Sequence, residues 1–310
     1  MTNDSSTGKQ SDAGTTSIAP VLLTCTMLFW GGNAVAGKFA VGEVSPMVLT
    51  AIRWAVATTI LLVFAVPHLR RDWGIIRSRL VYLFMLGAVG FGVFNVTLYS
   101  ALQFTTAINA TIIQSAMPMA VFALNFLVFR THLHWAQALG YTVTLAGVVV
   151  TASRGDLGNL AALGFNFGDL LMLVATFIYA SYSVALRNKP TMHWLSFMTV
   201  LAASATLAST AIAAIEVGTG AAIWPTSQTA WAVILYTAIL PSAIGQAFFV
   251  RGVELMGSNR ASIFLNLVPI FGAILAIGLL GEAFETYHAL ALVLVIGGLT
   301  IAQHLTPGNH

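Results

Sequence analysis

Long apolar runs, each closed by a short polar or turn-forming stretch, occupy almost the whole chain after residue 19. A helix crossing the hydrocarbon core of a bilayer needs about 20 mostly apolar residues. Breaking the sequence at its polar stretches predicts such helices over 20–41, 46–66, 80–103, 107–129, 135–152, 167–187, 193–215, 229–252, 260–281 and 286–304. Membrane β-barrels are written as short alternating segments instead, so the expected fold class is an all-α integral membrane protein. Residues 1–19 are rich in Ser, Thr, Gly and Asp with no apolar period, which predicts a disordered, solvated tail; residues 305–310 form a second short tail. Ala34-Val35-Ala36 resembles a signal-peptide cleavage site. The apolar run there is about twice a signal's length and follows an acidic tail, so it is read as a retained first span.

Composition agrees with that division. Hydrophobic residues make up 58% of the 310, charged residues 7%, and mean hydropathy is +0.87. Soluble domains carry about 25% charged residues. A disordered chain, a disulfide-stapled domain and a basic nucleic-acid binder are all excluded, the last because 13 Lys and Arg face 10 Asp and Glu. Cys25 is the single cysteine, so neither an internal disulfide nor a cysteine-rich metal site is expected.

Charge placement predicts orientation, because cytoplasmic loops accumulate Lys and Arg. With the N-terminus inside, ten of the 13 fall at cytoplasmic ends: Lys9, the four arginines at 70–79, Arg130, Arg187, Lys189, Arg251 and Arg260. The far-side loops hold Glu43, Asp156, Glu216, Glu282 and Glu285. Both termini are therefore expected in the cytoplasm and the protein in a bacterial inner membrane.

The sequence also repeats itself. At an offset of 151, Ala110 lies over Ala261, Ile112 over Ile263, Pro118 over Pro269 and Leu139 over Leu290; at 149, Trp30 lies over Tyr179 and Lys38 over Arg187. The expected organisation is a first five-helix repeat at 20–152, a linker at 153–166 and a second repeat at 167–304. An odd number of spans per repeat inverts the second half relative to the first. Inverted repeats place equivalent residues around a central cavity near the bilayer midplane, the geometry of alternating access.

Buried polar groups cost free energy unless partnered or wet, so those at membrane depth mark a candidate pathway. Asn95 aligns with Gln246, Ser115 with Asn266, Thr111 with Ser262 and Asn33 with Tyr182: polar over polar. Helix-tying amides and hydroxyls are the alternative use. Trp30, Tyr99, Tyr179 and Tyr182 lie on the same polar-bearing spans and are expected to meet the apolar part of a substrate. Pro118 and Pro269 sit mid-span, each three residues after a polar side chain, and free the carbonyls of Gln114 and Leu265. They predict a functional bend. Lys38 either attracts a substrate carboxylate from the far side or snorkels to the interface, and Arg53, inside the second span, reads the same two ways. No Asp or Glu lies mid-span, which disfavours a carboxylate proton relay.

Motifs for ATP hydrolysis, metalloprotease and serine-hydrolase chemistry are absent, so no enzyme activity, catalytic residue, cofactor or metal site is expected. The expected partners are a small-molecule substrate and the lipid bilayer, with no nucleic acid, for a chain acting as a monomer.

FWGGNAVAGK (29–38), the proline-centred SAMPMAVF (115–122) and LNLVPIFG (265–272), the pair Gly281-Glu282 and the closing LVLVIGGLTIA (292–302) resemble the EamA family of the drug/metabolite transporter superfamily. The resemblance covers about 20–304 and departs at Arg130-Thr131, where the first half lacks its own Gly-Glu pair. It implies ten helices in two inverted five-helix halves, with the fifth and tenth peripheral to a central cavity. The sequence is most similar to bacterial inner-membrane amino-acid exporters, including the YddG-type aromatic amino-acid exporters. Binding roles for Trp30, Asn33, Lys38, Asn95, Tyr99, Ser115, Tyr179, Tyr182, Gln246 and Asn266 would follow. A multidrug or purine exporter is the alternative within transport; a non-transporting sensor or scaffold is the alternative outside it.

Overall fold

A computed structural model describes residues 9–130, 134–156 and 166–304. Residues 1–8 of the expected leading tail, residues 157–165 of the linker and the 305–310 tail lie outside the described residues, as does the side chain of Ser262. Among the described residues every regular element is helical. In chain order these are α1 (Lys9–Phe39), α2 (Pro46–Ser78), α3 (Leu80–Ala101), α4 (Ala107–Phe129) and α5 (Trp135–Ala152), then α6 (Phe167–Asn188), α7 (Trp194–Gly218) and α8 (Gln228–Met256). α9 is drawn as Ser258–Phe264 followed by Leu267–Leu280, and α10 is Thr286–His304. Helices α1 to α8 are each long and apolar enough to cross a membrane; Leu267–Leu280 and Thr286–Ala302 are shorter apolar helices. With Val63, Phe64, Leu127 and Val293 each more than 60% exposed, the outer surface is one that only lipid covers well.

Two expected boundaries move by more than ten residues, the rest by four or fewer. α1 begins at Lys9, ahead of the expected start at residue 20, and α2 runs twelve residues past 66, through Pro67 and the Arg70-Arg71 pair. Charge ends a run of hydropathy but not a helix, whose hydrogen bonds are indifferent to it.

Helix contacts cross between the halves in a reciprocal way. α1 packs on α8 and α9, while its repeat counterpart α6 packs on α3 and α4. The counterparts α2 and α7 pack on each other, and so do α5 and α10. Small residues permit the last pairing: a Cβ at Gly140 would collide with the backbone oxygen of Gly298, and a Cβ at Gly298 with that of Gly140. Both halves contribute to the main buried cluster, which includes Leu98, Ile108 and Ile112 from one and Met172, Ile234 and Val295 from the other.

Helices α4 and α9 are interrupted at Ser115–Ala116 and Leu265–Asn266, just ahead of Pro118 and Pro269. Proline has no N–H to give and its ring crowds the carbonyl four residues back, so the α-helical ladder cannot pass through. α3 and α8 carry π-helical turns at Ala88–Val93 and Ala238–Ile244, ending just ahead of Asn95 and Gln246. Such turns loosen the ladder and re-aim the side chains that follow.

Candidate functional site

A cavity of about 560 Å³ lies where the interrupted and π-turned helices meet. Its polar wall includes Asn33 of α1, Arg53 of α2, Asn95 of α3, Gln114 and Ser115 of α4, Ser183 of α6, Ser242 and Gln246 of α8, and Asn266 of α9. Its aromatic wall includes Trp30, Trp54, Phe91, Phe94, Tyr179 and Phe249. Breaks in α4 and α9 therefore do chemical work, because Ser115 and Asn266 sit in them and face the space.

Of the residues expected from sequence, Trp30, Asn33, Asn95, Ser115, Pro118, Tyr179, Gln246 and Asn266 line this cavity. Tyr99, Tyr182, Lys38 and Pro269 do not. Tyr99 is buried behind the wall and its hydroxyl donates to Asn33 Oδ1 at 2.9 Å. Tyr182 supports the wall from behind, with its ring 5.5 Å from Phe91 and 5.2 Å from Tyr179. Pro269 is buried beyond the break that it causes. Lys38 bonds elsewhere: its ammonium donates to the carbonyls of Leu102 at 2.9 Å and Thr105 at 2.7 Å, at the end of α3.

Several lining residues, among them Gln114, Ser242, Trp54 and Phe91, were not in the expected set, and the most consequential is Arg53. Its side chain is 4% exposed and lines the cavity. Nε donates to Ser242 Oγ at 2.9 Å, and Nη1 donates to Asn95 Oδ1 at 2.6 Å and to the Tyr99 hydroxyl. Each acceptor residue also donates a hydrogen elsewhere. Ser242 Oγ donates to the Thr237 carbonyl at 2.8 Å, Asn95 Nδ2 to the Phe91 carbonyl at 2.7 Å, and Tyr99 to Asn33. All three therefore turn lone pairs to the guanidinium. Trp54 and Tyr99 add ring faces at 5.2 and 5.6 Å from its carbon. No carboxylate joins them: among the described residues the one ion pair is Arg251–Glu254, on the surface. An arginine at membrane depth costs about 3 kcal/mol on insertion scales, and here neutral partners alone offset it. The sequence signal was a lone arginine inside an apolar run with no acidic residue at comparable depth.

The cavity reaches one end of the bundle. Asn125 near the close of α4, Tyr141 near the start of α5 and Leu186 near the close of α6 line it there, beside Arg187, which donates to Asn125 Oδ1 at 3.2 Å. At the other end the halves are bonded together. Glu282 accepts from the backbone N–H of Ala107 at 2.7 Å and of Ile108 at 3.0 Å; Asn109 Oδ1 lies 3.0 Å from His288 Nε2; Ser45 donates to Glu216 at 2.7 Å. Ser227 donates to Glu43 and Thr105 to Asp169 at the same end.

The EamA-like transporter family model matches residues 17–153 and again residues 166–302, so each half of the chain is one copy of the family unit. An uncharacterized transporter from Archaeoglobus fulgidus is 28% identical over 92% of this chain and 98% of its own. The uncharacterized inner membrane transporter YicL of Salmonella typhimurium is 22% identical over 88% and 91%. A solved crystal structure superposes with a TM-score of 0.63 at 21% identity, covering 93% of this chain and 97% of that one, a likeness of fold. With both halves matched, the protein is a multi-pass membrane transporter that belongs to the EamA-like transporter family.

Proposed function

We propose that this protein is a secondary transporter of the bacterial inner membrane, exporting small amphipathic metabolites by alternating access, with aromatic or other neutral amino acids as the principal class. The cavity carries the reading: hydrogen-bonding groups from both halves meet an aromatic wall in a space of about 560 Å³, within the ordinary range for small-molecule sites. Asn33, Asn95, Ser115, Gln246 and Asn266 serve the polar end of the substrate; Trp30 and Tyr179 meet its apolar part, supported by Tyr99 and Tyr182.

The reciprocal packing of α1 on α8 and α9 and of α6 on α3 and α4 supports ten spans in two inverted halves, because a two-fold axis in the membrane plane demands that exchange. The cavity's mouth lies beside Arg187, and by charge placement this is the cytoplasmic end. The state drawn is then open to the inside with the far side closed, ready to load cytoplasmic solute. The lining includes one arginine and no Asp or Glu among the described residues, which argues against bulky cationic drugs as cargo.

The test is counterflow in proteoliposomes loaded with single amino acids. Accelerated uptake of labelled phenylalanine or leucine, reduced at least tenfold by Asn95→Ala or Gln246→Ala but not by substitution of lipid-facing Val63, is the expected result. No movement of any amino acid in either gradient direction would remove the amino-acid assignment; inhibition by purines instead would move the reading to that cargo.

A further inference from the structure

We infer that Arg53 is the receptor for a negatively charged group of the transported solute, so that a carboxylate is required for binding and an ammonium group is not. The inference deepens the transport reading and rests on the cavity being the transport site.

Arginine has five N–H donors. Three are committed: Nε to Ser242, and Nη1 to Asn95 and Tyr99. The two on Nη2 have no partner among the described residues, and the side chain lines the cavity. Its surroundings are neutral amides, hydroxyls and aromatic faces, so nothing among the described residues cancels the charge. A buried cation without a counter-ion raises the affinity of its site for an anion, since the low dielectric that penalises the lone charge strengthens the pair. The geometry is also pre-arranged. Asn95 is pinned by the Phe91 carbonyl and Ser242 by the Thr237 carbonyl, so Nε and Nη1 are held in place while the two Nη2 hydrogens stay free. A carboxylate accepting from Nη2 needs no rotamer change by the protein.

A second unsatisfied group lies in the same cavity. Asn266 is 8% exposed and its Oδ1 is buried with no hydrogen-bond partner among the described residues. It can accept from an N–H or O–H donor of the solute, but among the described residues no carboxylate lines the cavity to demand a full positive charge there. The expected order of preference follows. Carboxylates with or without a neighbouring amine bind, and their amides and amines do not.

Arg53 also joins the halves, since Asn95 and Tyr99 lie on α3 and Ser242 on α8, while Tyr99 passes the chain on to Asn33 of α1. An anion on Nη2 would weaken the pull of the guanidinium on those acceptors, and thus act on contacts between the halves that must rearrange when access alternates.

The experiment uses the full chain in nanodiscs, with melting temperature read against four probes: L-phenylalanine, L-phenylalaninamide, 3-phenylpropionate and 3-phenylpropanamide. The inference expects both carboxylates to stabilise the protein and each amide to need at least tenfold more ligand for the same shift. It also expects Arg53→Gln to erase that difference. Should the variant fail to fold, the wild-type series still decides. Equal response to acid and amide overturns the inference, and so does binding by neither. Counterflow of an amino acid measured alongside separates the two readings. A solute that still moves with no acid preference leaves transport intact and removes the anion site, whereas acid-selective binding without any movement keeps the site and removes transport.

Discussion

At the end of the bundle holding Glu282, a carboxylate accepts from two backbone N–H groups at the start of α4, and four further side-chain bonds tie the halves across the same layer. At the end holding Arg187, the cavity runs out between α4, α5 and α6, and an exposed Arg187–Asn125 bond is the polar tie at its mouth. The same gene unit is used twice, yet the Arg187 end stays open between α4, α5 and α6, although beside the opening Asp72 accepts from the His193 N–H at 3.0 Å and Tyr82 donates to the Ala185 carbonyl at 2.6 Å. The repeat register shows why. Gly281-Glu282 stands over Arg130-Thr131. Gly281 and Arg130 both adopt left-handed backbone, φ 66° and 51°, so the turn is kept in each half. What differs is the carboxylate. A negative group at a helix N-terminus meets free N–H donors and the positive end of the helix dipole, and the second half supplies one to α4 while the first has threonine at the matching position. The lesson is that two copies of one unit are held differently at their ends by a charged side chain that only one copy carries.

The largest way to break this asymmetry is Glu282→Ala. Two N–H groups of α4 lose a charged acceptor, worth about 1.5–3 kcal/mol when left unmade. With a reporter Ala40→Cys, buried near that end, on a Cys25→Ser background, labelling by a membrane-impermeant maleimide should rise at least tenfold. Unchanged labelling would mean that Glu282 does not hold the far end shut.

Lys38→Met should act in the same direction and less strongly. The ammonium ties the end of α1 to the carbonyls of Leu102 and Thr105, but it is partly exposed, so about 1–2 kcal/mol is expected after discounting for solvent. The same reporter should label several-fold faster, and the double variant with Glu282→Ala should depart from additivity, because the two opposite charges lie close and hold backbone two residues apart, at Thr105 and Ala107. Ser45→Ala comes next. It removes the bond to Glu216 and one accepted from the Ile223 N–H, about 1 kcal/mol by thermal melting.

Much of the frame was legible in the sequence. The expected span at 107–129 reappears as Ala107–Phe129 and that at 135–152 as Trp135–Ala152, because bilayer helices must be long, apolar and closed by breakers. Eight expected site residues line the cavity, since polar groups at depth are costly enough that their placement carries information. Arg53 was not assigned because a lone arginine in an apolar run reads equally as a snorkelling end group, and the three acceptors that hold it come from α3 and α8, which sequence spacing cannot bring together. The latch by Glu282 was hidden for the same reason: its motif is local, but its partner is the start of α4, 174 residues away. The continuation of α2 past Pro67 was missed because hydropathy reports the membrane, not the helix.

The smallest effect sharpens the comparison most. Asn125→Ala removes the exposed Arg187 contact at the mouth. A tie of that kind holds two solvated side chains at little net gain, and substitutions there fall within about 0.5 kcal/mol. Arg187 also keeps its place over the Phe129 ring at 4.3 Å, which does not depend on Asn125. Melting temperature and far-end labelling should therefore match the parent. A loss in Asn125→Ala as large as that in Glu282→Ala would show that the mouth is held as firmly as the far end. The state open at the Arg187 end would then owe its stability to the whole interface between the halves and not to one carboxylate at the start of α4.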